Sequence, residues 1–185
     1  MKYSEIIQTK EYKQDWNCCT VVASSVIFNK PFGEMQKFYD HHGRKRKQGY
    51  RDWKEAIIEL CEKYNYSYKK YAVMRRVENG TLKSGYEVRQ TKWTGGQIEN
   101  AEILCRLKTR NSLNISNFNQ YLPKGSYIMG FNGSICHVGA VKNGIVEDWT
   151  DGRRYVISSL FKIEKNESVK CLTKSLLKDF ESFGF

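Results

Sequence analysis

The amino-acid sequence predicts an α+β domain, with N-terminal helices packed on a C-terminal antiparallel sheet. Apolar residues recur at helical spacing before residue 65. After residue 125 the apolar runs shorten to strand length, and the turn dipeptides Asn132-Gly133 and Asn143-Gly144 fall between them. At 185 residues, with 40% hydrophobic against 28% charged, the chain has the size and the apolar content for one domain spanning residues 1–185.

The first periodic element follows Asn17. Cys19, Val22, Ala23, Val26 and Ile27 lie at i, i+3, i+4, i+7 and i+8, one face of a helix that Asn29-Lys30-Pro31 ends, because a residue preceding proline is pushed out of the helical region. A second helix is expected over 33–42, with Met35, Phe38 and Tyr39 inward, then a basic loop over 43–49. Trp53, Ile57, Leu60, Cys61 and Tyr64 predict a third helix over 50–64, with Cys61 a core thiol. The helical part thus runs over about 15–65.

Residues 66–73 and 86–93 read as strands, and 95–107 as a helix with Ile98, Ala101 and Cys105 inward. Ser116 is placed to cap a short turn ending at Leu122-Pro123-Lys124-Gly125. The sheet part is expected over about 126–158: strands 126–131, 136–142 and 144–149, with 154–158 continuing the meander. Asn-Gly favours tight hairpins because both central residues need positive φ. Residues 162–174 read as a charged tail and 175–183 as a last amphipathic helix.

Thirty-one Lys plus Arg against 20 Asp plus Glu give a net charge of +11. The excess concentrates at Arg44, Lys45, Arg46, Lys47 and Arg51, a candidate patch for nucleic acid or an acidic protein. No zinc-finger, basic-zipper, phosphate-loop or RNA-recognition signature accompanies it. The longest mostly apolar run, Val21 to Phe28, is too short to span a bilayer, and Ile6-Ile7 is too short for a secretory core, so a cytoplasmic location is expected. There the six cysteines are expected as thiols.

A two-residue turn at Asn143-Gly144 pairs Lys142 with Ile145, Gly139 with Asp148 and His137 with Thr150. His137, Gly139, Val146, Asp148 and Thr150 then share one face. His137 and Asp148 become diagonal neighbours roughly 7–8 Å apart at the backbone, with Gly139 leaving room between them. A carboxylate bonded to one imidazole nitrogen leaves the other free as a base. The nucleophile that suits this pair is Cys19, in the first turn of a helix, where the dipole and an imidazolium favour thiolate. Cys18 is the rival thiol.

Helix-borne cysteine first, then histidine and acid on late strands, resembles the papain-like cysteine peptidases. Gln14-x-x-x-x-Cys19, residues 17–23, the Gly43-Arg44-Lys45 loop, residues 122–128, His137-Val138-Gly139-Ala140-Val141 and Asp148-Trp149-Thr150-Asp151 look more narrowly like C39-like papain-fold proteins, often encoded by bacteriophages. The resemblance implies Cys19 as nucleophile, His137 as base, Asp148 as orienting acid and Gln14 as an oxyanion donor. Gln14 lies five residues before Cys19 where many relatives have six, so Asn17 or the Cys19 N–H is the alternative donor. A cytoplasmic peptidase or isopeptidase follows, in the host cytoplasm if viral, acting on a protein or peptide and needing no cofactor. Amide-bond acyl transfer is open to the same triad. The alternatives are a non-enzymatic basic binding protein on this fold and a zinc site built from Cys18, Cys19, Cys136 and His137.

Overall fold

The computed structural model describes residues 1–74, 86–90, 101–106, 113–120, 122–131 and 137–166. Two short helices, α1 (Tyr3–Ile6) and α2 (Lys10–Gln14), precede α3 (Cys19–Phe28), α4 (Phe32–His41) and α5 (Trp53–Tyr64). The strands are β1 (Tyr66–Met74), β2 (Tyr86–Gln90), β3 (Ala101–Arg106), β4 (Ser126–Phe131), β5 (His137–Lys142), β6 (Ile145–Val146) and β7 (Ile157–Lys165). They form one sheet in the order β2-β3-β1-β7-β4-β5-β6. The α+β class therefore holds.

The buried helix α3 organises the molecule. The sequence predicts one apolar face, yet every residue from Thr20 to Phe28 is buried, because neighbouring helices and β5 surround it. Of the three hydroxyls this burial encloses, those of Ser24 and Ser25 are satisfied internally and that of Thr20 is not. Ser24 Oγ and Tyr39 Oη share a 2.8 Å hydrogen bond, and Ser25 Oγ donates to the Val21 carbonyl at 2.9 Å. Burying side chains such as Val21, Val26 and Phe28 stabilises the fold by about 1.5–3 kcal/mol each. Asn29 ends α3 in the left-handed region, at φ 54°, just before Pro31.

Alternate residues of the central strands feed two apolar clusters. Ile128, Val138, Ala140, Phe161 and Ile163 join the cluster built on the helices. Tyr127, Met129, Phe131, Val141 and Leu160 join a second with Leu113, Ile115, Phe118 and Leu122. This accounts for the nearly continuous burial along β4 and β5, since both faces are covered.

Several sequence expectations are corrected. The helical part begins at Tyr3, not near 15, and the sheet takes in strands from Tyr66 onward and extends to Lys165. β1 and β3 run parallel, so the sheet is mixed. The segment expected as helix 95–107 contains strand β3 over Ala101–Arg106, where backbone pairing to β1 and β2 outweighs an ambiguous apolar spacing. The meander stops at β6. β7 begins at Ile157 and inserts between β1 and β4, where it pairs antiparallel with both. Asn114, not Ser116, organises the turn before the 3-10 segment Phe118–Gln120: its side chain accepts from Ser116 N at 2.9 Å and Ser116 Oγ at 2.7 Å. The Asn132-Gly133 turn and the last helix lie outside the described residues. Among the described residues no helix is long and apolar enough to cross a membrane.

Candidate active site

The Asn143-Gly144 turn forms as the sequence predicts, with φ of 53° and 84°, and it sets Lys142 opposite Ile145 and Val141 opposite Val146. The ladder does not continue to the expected Gly139–Asp148 pair. After Glu147 N donates to the Ala140 carbonyl at 2.9 Å, the chain bends at Asp148. The bend still delivers the carboxylate to the imidazole: His137 Nε2 and Asp148 Oδ2 are 2.9 Å apart, and both side chains are almost wholly buried.

Asp148 is itself fixed. Its Oδ2 accepts from Thr150 N at 3.1 Å and Thr150 Oγ1 at 2.6 Å, and Thr150 is fully buried. A carboxylate bonding the backbone two residues on makes a self-contained turn. The Asp-x-Thr spacing is the sequence signal for this clamp, which strand alternation alone does not reveal.

Cys19 opens α3, and Cys18 precedes it as the N-cap residue. Asn17, at φ 67°, turns the chain so that consecutive thiols meet different surroundings. Cys18 is buried, and burial, reinforced by the nearby Asp15 charge, pushes its thiol up to about 12. Cys19 is half-buried, and its thiol lines both cavities together with the His137 ring and helps raise the ring's pKa. With Nε2 engaged by Asp148, Nδ1 is the ring nitrogen not bonded to that carboxylate. Burial alone disfavours a charged ring, but the hydrogen bonds and charges of Asp148 and Cys19 outweigh it and raise the His137 pKa to about 9. The structure thus brings together Cys19, His137 and Asp148 from α3, β5 and the turn after β6.

Two aromatic rings pack against the imidazole. Phe131 stacks nearly parallel, with centroids 5.7 Å apart and planes 12° apart, and Trp149 lies 5.1 Å away at 57°. Arg153 sits 5.1 Å from the Trp149 ring centre. The room for this packing depends on Gly139. A Cβ there would lie 3.0 Å from Phe131 Cε2 and 3.3 Å from both Asp148 Cγ and Oδ2. Gly139→Ala is therefore expected to displace the carboxylate, lower the His137 pKa from about 9 toward 6.5, and cost about 1–3 kcal/mol of stability. Proton NMR titration of the ring and thermal unfolding would check both effects.

Two cavities meet at Cys19 and His137. The larger, about 510 Å³, extends past Tyr50, Trp53 and Gly130; the smaller, about 240 Å³, is lined by Tyr3, Tyr12, Asn17 and Trp149. Gln14, at the exposed end of α2, lines neither. Asn17 does, with its amide also donating to the Lys47 carbonyl at 3.3 Å. The first-turn N–H groups of α3 have no acceptor within the helix, so the Cys19 N–H is available to donate outside it.

The basic patch needs a correction. Lys45, Arg46, Lys47 and Arg51 are exposed, but Arg44 is 4% exposed and its guanidinium is paired with the buried Asp15. Arg44 Nη1 and Nη2 donate to Asp15 Oδ2 and Oδ1 at 2.8 and 3.0 Å, so it is an anchor of the loop and not part of a docking surface. Trp16 is 61% exposed and lines neither cavity, whereas Trp149 covers the His137–Asp148 pair. Among the described residues, no three His, Cys, Asp or Glu side chains converge as metal ligands, and Cys136 lies outside those residues. No protein-family model, curated protein or solved structure matches the chain.

Proposed function

We propose that the chain is a papain-like thiol hydrolase, a cysteine peptidase or isopeptidase of the C39-like, phage-type kind, acting on a host or viral protein. The observation that carries this reading is the His137 ring bonded to the Asp148 carboxylate and lining, together with the Cys19 thiol, two cavities that meet there. Cys19 sulfur attacks the amide carbon, and the carbonyl electrons move to oxygen, where the Cys19 N–H and Asn17 are the available donors. His137 gives its Nδ1 proton to the amine nitrogen as the C–N bond breaks, which leaves a thioester. Water then attacks the thioester, His137 takes its proton, and the C–S bond breaks to release the acid. An amine replacing water at this step gives acyl transfer.

The pH dependence tests the reading. An imidazolium is needed to protonate the leaving amine, so peptide cleavage should fall as pH rises through about 9, while alkylation of Cys19 by iodoacetamide should not fall. Loss of both together, or of neither, would contradict the scheme. The same group links to folding. The folded pKa is raised above 6.5, so the stabilising contribution is fully present below about 6.5 and is lost as pH rises through about 9. That contribution is on the order of 3 kcal/mol and should be absent in His137→Gln, as read by chemical denaturation across this range.

A further inference from the structure

The two cavities flanking Cys19 differ in charge. The smaller is lined by Tyr3, Tyr12, Trp149 and Asp148, with no Lys or Arg among its described lining residues, and His137 lines both cavities. The larger is lined by Arg51 and Lys54, and no carboxylate is among its described lining residues. Asp52 and Glu55, neighbours in sequence, are exposed and do not line it.

Three further features converge on the larger arm. Arg51, Trp53 and Lys54 flank the start of α5, a 12-residue helix whose N-cap Asp52 makes no side-chain cap bond, so its first-turn N–H groups receive no acceptor from that residue. A helix start of this kind favours a negative charge. Thr20, which lines the same cavity, has a buried hydroxyl with no hydrogen-bond partner. Gly130 lets Trp53 and Ser159 pack close against the floor of the arm: a Cβ there would lie 2.8 Å from Trp53 Cζ2 and 2.6 Å from Ser159 Oγ. The volume, about 510 Å³, accommodates side chains of a bound peptide.

We propose that this arm is an anionic subsite that binds an Asp or Glu side chain of the peptide substrate close to the bond Cys19 attacks. The inference rests on the thiol-hydrolase reading and adds the substrate's charge to it. Charge-assisted hydrogen bonds from Arg51 and Lys54 would select the carboxylate over its amide isostere. The +11 net charge would speed the approach of acidic segments generally, but only the arm discriminates between positions.

Peptide probes with a central epoxysuccinyl electrophile, identical but for Glu, Gln or Lys scanned through both of their arms, would test this. At one position Glu should label Cys19 about tenfold faster than Gln, with Lys slower still, a ratio equivalent to about 1.4 kcal/mol. In Arg51→Gln with Lys54→Gln the Glu/Gln ratio should fall close to one. Lys54→Glu should shift the preference toward Lys, and circular dichroism would verify that each variant is folded. Iodoacetamide on the unaltered protein separates the two levels. If Cys19 is alkylated selectively and through His137, yet Glu and Gln probes react equally or not at all, the anionic subsite is overturned and the thiol chemistry stands. A ratio that survives in the double variant also overturns it. If iodoacetamide shows no preference for Cys19, the hydrolase reading fails and the subsite with it.

Discussion

Cys19→Ala should abolish covalent turnover, and His137→Ala should slow alkylation of Cys19 at neutral pH to the rate of an ordinary thiol, of which only a few per cent is thiolate. A fall of about 10- to 100-fold in that rate is expected, and a fall of at least about 10³-fold in peptide cleavage, because the histidine serves in both halves of the reaction. Mass-spectrometric mapping after brief iodoacetamide treatment provides the readout. Cys18 and Cys61 supply internal controls: both are buried, and burial pushes both thiols up to about 12, so they should stay unmodified while the fold is intact. Labelling of Cys18 in place of Cys19 would reverse the assignment of the nucleophile. Asp148→Asn should give an intermediate loss, since Thr150 can still orient an amide but the charge that helps hold His137 protonated is gone.

The elements that were legible in the sequence are those whose signal is local. Asn143-Gly144 dictates its own turn, and the register it imposes is observed at Lys142–Ile145. The apolar spacings of α3, α4 and α5 were equally readable, with ends within about three residues. The departures arise where a distant partner decides. Ala101–Arg106 could be helix or strand on spacing alone, and the parallel partner β1 settles it. β7 was expected as a short neighbour of the hairpin, but its position between β1 and β4 depends on pairings across the whole chain. The site shows the same division. His137 and Asp148 were found through strand alternation even though the ladder ends early and a bend supplies the contact. Arg44 is not distinguishable in the sequence because a run of Arg and Lys looks uniformly solvated, while burial picks out one member.

That one arginine gives the largest stability effect. Asp15 and Arg44 side chains are both 0% exposed, and the carboxylate also accepts from Lys47 N at 2.7 Å and Gln36 Nε2 at 2.8 Å. Burial alone would raise the Asp15 pKa, but bonds from Arg44, Lys47 and Gln36 hold it below its ordinary value. The pair ties the segment entering α3 to the 45–51 loop that leads to the larger cavity. Arg44→Met leaves the carboxylate buried without its counterion, a change expected to cost about 3–5 kcal/mol at pH 7. The sign of the pH dependence should then reverse. In the unaltered protein the depressed Asp15 pKa contributes stability above about 4, which is lost as pH falls through the folded value. In the variant the orphaned carboxyl is raised by burial, so it contributes most when protonated and the deficit shrinks on acidification from pH 7 toward 5. Denaturant unfolding at both pH values would show this, and a second change, Asp15→Leu, should recover part of the loss by removing the unpaired charge. If Arg44→Met instead unfolded with an unchanged midpoint and pH slope, the ion pair would not anchor the loop, and the larger cavity would need another support.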